Sequence, residues 1–146
     1  MDQARRAFLM NDFRQAFTAH LGFEALDAAE GHFASTVALT PALLQQDGLA
    51  HAGVVATLAD HTAGYAAYTL VGPESRILTV EFKINFLKPA AGAALYCQAQ
   101  VISRGRTILP AESAVWAVNA DGDRKLAAKA MVTLMVVPTE SLRRES

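Results

Sequence analysis

The chain has 146 residues, 52% hydrophobic and 18% charged, which is one domain's length with more apolar surface than a small monomer needs. A formal net charge of −1 excludes the basic surface on which a nucleic-acid binder depends. A single cysteine, Cys97, excludes an intrachain disulfide and suits a reducing compartment.

In chain order, the first expected element is a helix over residues 3–20, with Phe13, Phe17 and Leu21 on one stripe and Gly22 ending it. Arg5-Arg6 stands near the start, but the polar run Asn11-Asp12-Phe13-Arg14-Gln15 follows where an export signal needs an apolar stretch. Export is therefore not expected, and the cytoplasm is the expected location. Short strands follow at 23–28 and 32–39, joined at Glu30-Gly31. The second alternates Phe33, Ser35, Val37 and Leu39 with Ala34, Thr36 and Ala38, as a half-buried strand does. Thr40-Pro41 breaks it, and residues 41–50 read as a loop.

Residues 51–71 read as a long, nearly uncharged helix stopped by Gly72-Pro73. Its one carboxylate, Asp60, is costly to bury without a partner or a task. Ala56 and Gly64 lie on the same face as Asp60 and leave space beside it. Asp60 and His61 interrupt the apolar run, so it is not expected to span a membrane.

Four strands are expected after this helix. At 78–87, Leu78, Val80, Phe82, Ile84 and Phe86 alternate with Thr79, Glu81, Lys83 and Asn85. Alternation resumes at Leu95, Cys97, Ala99 and Val101, and again over 126–136. Between these lies a strand at 107–118 that contains Pro110, where a bulge or an edge is expected because proline cannot donate to a ladder. Short connections predict that consecutive strands are antiparallel neighbours. The economical architecture is α+β: a curved antiparallel sheet around one long central helix, with an N-terminal helix outside it. The expected division is 1–20 for that outer helix, 21–138 for a single domain and 139–146 for a charged tail. His20, His32, His51 and His61 show no metal-ligand spacing, so no metal is expected.

The segment Gln45-Gln-Asp-Gly-Leu-Ala-His51-Ala-Gly53, followed by Asp60, resembles the hotdog-fold acyl-CoA thioesterases of the PaaI-like, phenylacetate-degradation or aryl-CoA subgroup. Relatives there show Asn or Gln, then His-Gly-Gly, then Asp or Glu on the helix. Val80-Glu-Phe-Lys-Ile-Asn-Phe-Leu-Lys-Pro89, Gly105-Arg106 and Ala130-Met-Val-Thr-Leu134 add to the likeness, which spans about residues 20–137. It implies hydrolysis of an acyl-CoA to a carboxylic acid and coenzyme A, with no cofactor beyond the coenzyme A of the substrate. It also implies a homo-oligomer, either a dimer or a dimer of dimers.

On this resemblance Asp60 is nucleophile or general base. Ala52 and Gly53 offer helix N-terminal amides as an oxyanion hole. Gln45 orients water or carbonyl, His51 fixes the loop, and Thr79 approaches the water from the partner subunit. Lys88, Arg104 and Arg106 are candidate contacts for the phosphates of coenzyme A. Tyr65, Tyr68 and Phe86 are candidates for lining an acyl pocket. Ala52 departs from the family's first glycine, and its methyl is expected to narrow the approach or to forbid a positive φ. A non-catalytic acyl-CoA sensor and a hotdog dehydratase are the competing functions, the latter disfavoured because those relatives use other Asp/His or His/Glu spacings.

Overall fold

A computed structural model describes residues 1–142; residues 143–146, the end of the charged tail, lie outside the described residues. The order is α1 (Gln3–Asp12), α2 (Ala16–Leu21), β1 (Phe23–Ala29), β2 (His32–Ala38), α3 (Ala52–Tyr68), β3 (Ser75–Phe86), β4 (Ala94–Val101), β5 (Ile108–Val118) and β6 (Arg124–Pro138). The strands form one antiparallel sheet in the order β1-β2-β4-β5-β6-β3. Helix α3 packs on its inner face, which makes this the hotdog architecture. Ala59, Ala63, Ala66 and Ala67 of α3 are buried and bring the helix close to the sheet, while Val55 and Leu58 fill the core beneath it. Among the described residues no helix is long and apolar enough to cross a membrane.

Two expectations about the elements need correction. The outer helix is two helices, not one. Phe13 leaves α1 and is fully buried, stacked on Phe33 at 5.0 Å between ring centroids, whereas Phe17 is 61% exposed. Burying the Phe13 ring breaks the 3.6-residue stripe, and Ala16 takes a positive φ of 48° to restart the chain as α2. Strands β3 and β4 are also not neighbours, since β3 pairs with β6 at the sheet's far edge. Their connection crosses the end of the sheet instead, held by Leu87 N–H to the Ala127 carbonyl and Ala93 N–H to the Val118 carbonyl. Gly92 permits that path, because a Cβ there would run into the Val118 carbonyl.

Pro110 has no bulge beside it. The β4 ladder ends at Val101↔Ala111, and the Pro110 carbonyl accepts from Ile102 N–H beyond that end. Its missing N–H therefore falls where β4 has no further ladder position to fill.

Candidate functional site

The charged half of the site sits midway along α3. Asp60 is partly buried, and its Oδ1 accepts a hydrogen bond from Thr79 Oγ1 at 2.8 Å. Burial raises the Asp60 pKa above the usual carboxylate range, and the Thr79 hydroxyl opposes that rise. Thr79 comes from the same chain, not from a partner. Strict alternation placed it on the face opposite Phe82, and a β-bulge corrects this: Thr79 pairs with Leu134 and Glu81 with Thr133, leaving Val80 as the extra residue. The bulge turns Ile77 and Thr79 toward α3 on one side and the half-buried Ile84 inward on the other, while Phe82 stays exposed. Leu78 and Val80 become outward residues of the edge strand.

Asp60 and Thr79 border a pocket of about 240 Å³ with His61, Gly64, Tyr65, Tyr68 and Ile77. Its walls are anchored by the N-terminal helices. Tyr65 O–H donates to Asp12 Oδ2 at 2.8 Å, and His61 Nε2–H donates to the Phe13 carbonyl at 3.0 Å. Burial lowers the His61 pKa, so this ring is held neutral. Arg5 reaches the carbonyls of Tyr68 and Val71, each at 3.3 Å, and neutralises the C-terminal end of α3.

The second half lies at the N-terminus of α3. His51 is the N-cap, and its Nδ1 accepts from Gly53 N–H at 2.9 Å. Gly53 N–H is thereby engaged, and Ala52 N–H is the amide there without a partner among the described residues. A Cβ at position 53 would meet His51 Nδ1 at 3.0 Å, so glycine here serves the cap itself. Ala52 is not among the residues of positive φ, which removes the expected backbone conflict with alanine. Accepting at Nδ1 fixes the His51 tautomer with its proton on Nε2, as a second exposed donor.

Gln45 joins Ala52 and Lys88 around a separate pocket of about 330 Å³. The Gln45 Oε1 is tied to Asp47 N–H at 2.6 Å, leaving its amide NH₂ as the outward donor. Phe86 lines this pocket and not the one holding Tyr65 and Tyr68, so the three aromatic candidates are divided between two places.

Within one chain the two halves do not converge. Ala52 and Asp60 are eight residues apart on α3, about 12 Å along its axis at 1.5 Å per residue. The three basic candidates are divided as well. Lys88 follows β3 beside the α3 N-terminus, whereas Arg104 stands at the far sheet end, bonded to the Leu70 carbonyl at 2.9 Å and to Glu30 at 3.4 Å. Arg106 is exposed in the same β4–β5 turn as Arg104. Cys97 is no competing nucleophile, because full burial pushes its thiol up to about 12. The sequence pattern gives no hint of Ile77 as a wall of the Asp60 pocket. Only the bulge at Val80 turns it inward, and regular alternation carries no sign of a bulge.

Comparison with known proteins gives a consistent result. Residues 47–121 match the family described as Thioesterase superfamily. A curated relative from Saccharolobus solfataricus that carries the name of an esterase is 35% identical over 89 residues, which is 61% of this chain and 56% of that relative. The chain thus spans little more than half the length of that relative. A thioesterase family protein from Silicibacter pomeroyi superposes with a TM-score of 0.85 at 37% identity, covering 90% of this chain and 98% of that one. A thioesterase protein from Streptococcus pneumoniae TIGR4, solved with coenzyme A, gives 0.74 at 26% identity over 88% and 97% of the two chains.

Proposed function

The chain belongs to the thioesterase superfamily, and on that premise we propose that it hydrolyses an acyl-CoA thioester to a carboxylic acid and free coenzyme A. The observation that carries this reading is a partly buried carboxylate, Asp60, held by Thr79 beside an open pocket, its pKa raised by burial. The coenzyme A bound by the Streptococcus pneumoniae protein supports the choice of thiol. The PaaI-like subgroup is retained on the Gln45, His51, Gly53 and Asp60 pattern, and the lone buried Cys97 suits a cytoplasmic location.

Thr79 occupies one oxygen of Asp60, which leaves Oδ2 for the reaction. As general base, Oδ2 takes a proton from water while the water oxygen bonds to the thioester carbon. The tetrahedral oxyanion then collapses, the C–S bond breaks, and the proton held by Asp60 passes to the departing thiolate. As nucleophile, the same oxygen attacks the carbon, the C–S bond breaks to release the thiolate, and water then hydrolyses the mixed anhydride, giving up a proton to the thiolate. In either route the carbonyl oxygen needs donors, and Ala52 N–H, His51 Nε2–H and the Gln45 amide have no partner among the described residues.

The roughly 12 Å between these donors and Asp60 is too long for one carbonyl group to bridge. We therefore assign the complete site to two copies of the chain, with Asp60 and Thr79 from one and the α3 N-terminus and Gln45 from the other. The twelve residues of β3 form an open sheet edge carrying exposed Leu78, Val80 and Phe82, which favours pairing with a second copy.

The test follows thiol release from acetyl-, octanoyl-, benzoyl- and phenylacetyl-CoA with wild type and Asp60→Asn. The variant is expected to lose roughly 10²–10⁴-fold in kcat/KM. Equal rates in the two proteins would refute the role of Asp60. Tight binding of acyl-CoA without turnover would make the protein a binding module instead.

A further inference from the structure

Gly64 stands in the interior of α3, where glycine is disfavoured relative to alanine, and the chain itself gives no reason for it. Its φ is not in the left-handed region, and a Cβ added there would meet nothing within 4 Å. The space it leaves belongs to the pocket that holds Asp60, one turn earlier on the same face.

That pocket has fixed walls. The Tyr65 ring is bonded to Asp12 through its hydroxyl and packed against Phe13 and Phe33 at 5.1 and 5.4 Å between centroids. Tyr68 leans on Tyr65 at 5.3 Å, and the buried Ile77 stands on the β3 side. With Tyr65 tied to the N-terminal helices and Ile77 set in the sheet, a side chain added at position 64 takes up space within the pocket. At about 240 Å³ it lies below the usual range of roughly 300–1,000 Å³ for drug-sized ligands, so it suits a compact group.

We propose that Gly64 sets the size of the acyl group accepted at Asp60, its missing side chain leaving the floor on which that group lies between Tyr68 and Ile77. The assignment rests on the thioester-hydrolase reading given above and adds the residue that decides the substrate. Every atom placed on Gly64 then subtracts from the acyl group and not from the coenzyme A portion, so the effect grows with acyl size.

The experiment compares wild type, Gly64→Ala and Gly64→Leu for kcat/KM on acetyl-CoA and phenylacetyl-CoA, with thermal midpoint and gel-filtration elution recorded for each. One methylene in a hydrophobic pocket is worth about 10–200-fold in discrimination. Gly64→Ala should therefore lower the phenylacetyl to acetyl ratio by about tenfold or more, and Gly64→Leu should lower it further. Elution should not change, and the midpoint of Gly64→Ala should not fall. An unchanged ratio overturns the assignment. So does an equal loss on both substrates accompanied by a shift to monomer, because Gly64 would then be a packing residue between subunits. Absence of turnover by wild type on every thioester would instead overturn the hydrolase reading, and this assignment with it.

Discussion

Asp60 is subject to opposed influences: burial raises its pKa, and the Thr79 hydroxyl lowers it. The carboxylate is lost as pH falls through a point above the ordinary 3.8, so under the role proposed for Asp60 the acid limb of the rate profile lies above that value. Thr79→Ala removes a donor that favours the charged form, and its acid limb is expected to move to still higher pH. Thr79→Ser should restore the wild-type position. A limb that stays in place in Thr79→Ala would refute the electrostatic role of the bond. The same shift has a sign for stability. A carboxylate with a raised folded pKa contributes most below the unfolded value, and that contribution is lost as pH rises through the folded one. Asp60→Asn keeps an acceptor for Thr79 and sheds the charge, so its thermal midpoint at pH 7 should exceed that of wild type while activity collapses. A lower midpoint would contradict the burial argument.

Helix α3 carries most residues of the proposed site, and its two ends and its middle are fixed by different contacts. His51 caps the start, Arg5 meets the carbonyls at the end, and Asp12 and Phe13 hold the rings of Tyr65 and His61. His51→Ala should cost about 0.5–2 kcal/mol through the lost cap. Gly53→Ala displaces the His51 ring at a similar cost but gains up to about 1 kcal/mol of helix propensity. Denaturant unfolding should therefore find His51→Ala clearly destabilised and Gly53→Ala near wild type, while both lose activity. Equal destabilisation of the two would contradict the cap as the reason for glycine.

The helix itself was legible in the sequence, because a long apolar run with one carboxylate and no lysine or arginine must bury most of its circumference. Alternation also identified β2 and β4 correctly, since Phe33, Ser35, Val37, Leu95, Cys97 and Ala99 are all buried. The position of Thr79 was not legible. A bulge adds a residue without altering the apolar and polar pattern that announces a strand, and only its pairing with β6 reveals it. The stripe of Phe13, Phe17 and Leu21 misled for a related reason: periodicity counts apolar positions, whereas the core had room for the Phe13 ring at the helix end. Nor did the order of strands follow from short connections, because the segment between β3 and β4 crosses the end of the sheet instead of turning back.

In the proposed site one chain supplies two groups of residues that lie about 12 Å apart on α3 and do not meet within that chain. Its open β3 edge and 52% hydrophobic composition both favour a second copy as the completing partner. In such an assembly a chain lacking Asp60 still offers an intact α3 N-terminus, and a chain lacking His51 still offers Asp60. The most direct measurement is thiol release from a one-to-one mixture of Asp60→Asn and His51→Ala proteins after subunit exchange. Random pairing makes half of the dimers mixed, each with one intact site of two, so activity should recover to about a quarter of wild type. A mixture no more active than the sum of its separate components would contradict a site shared between two chains.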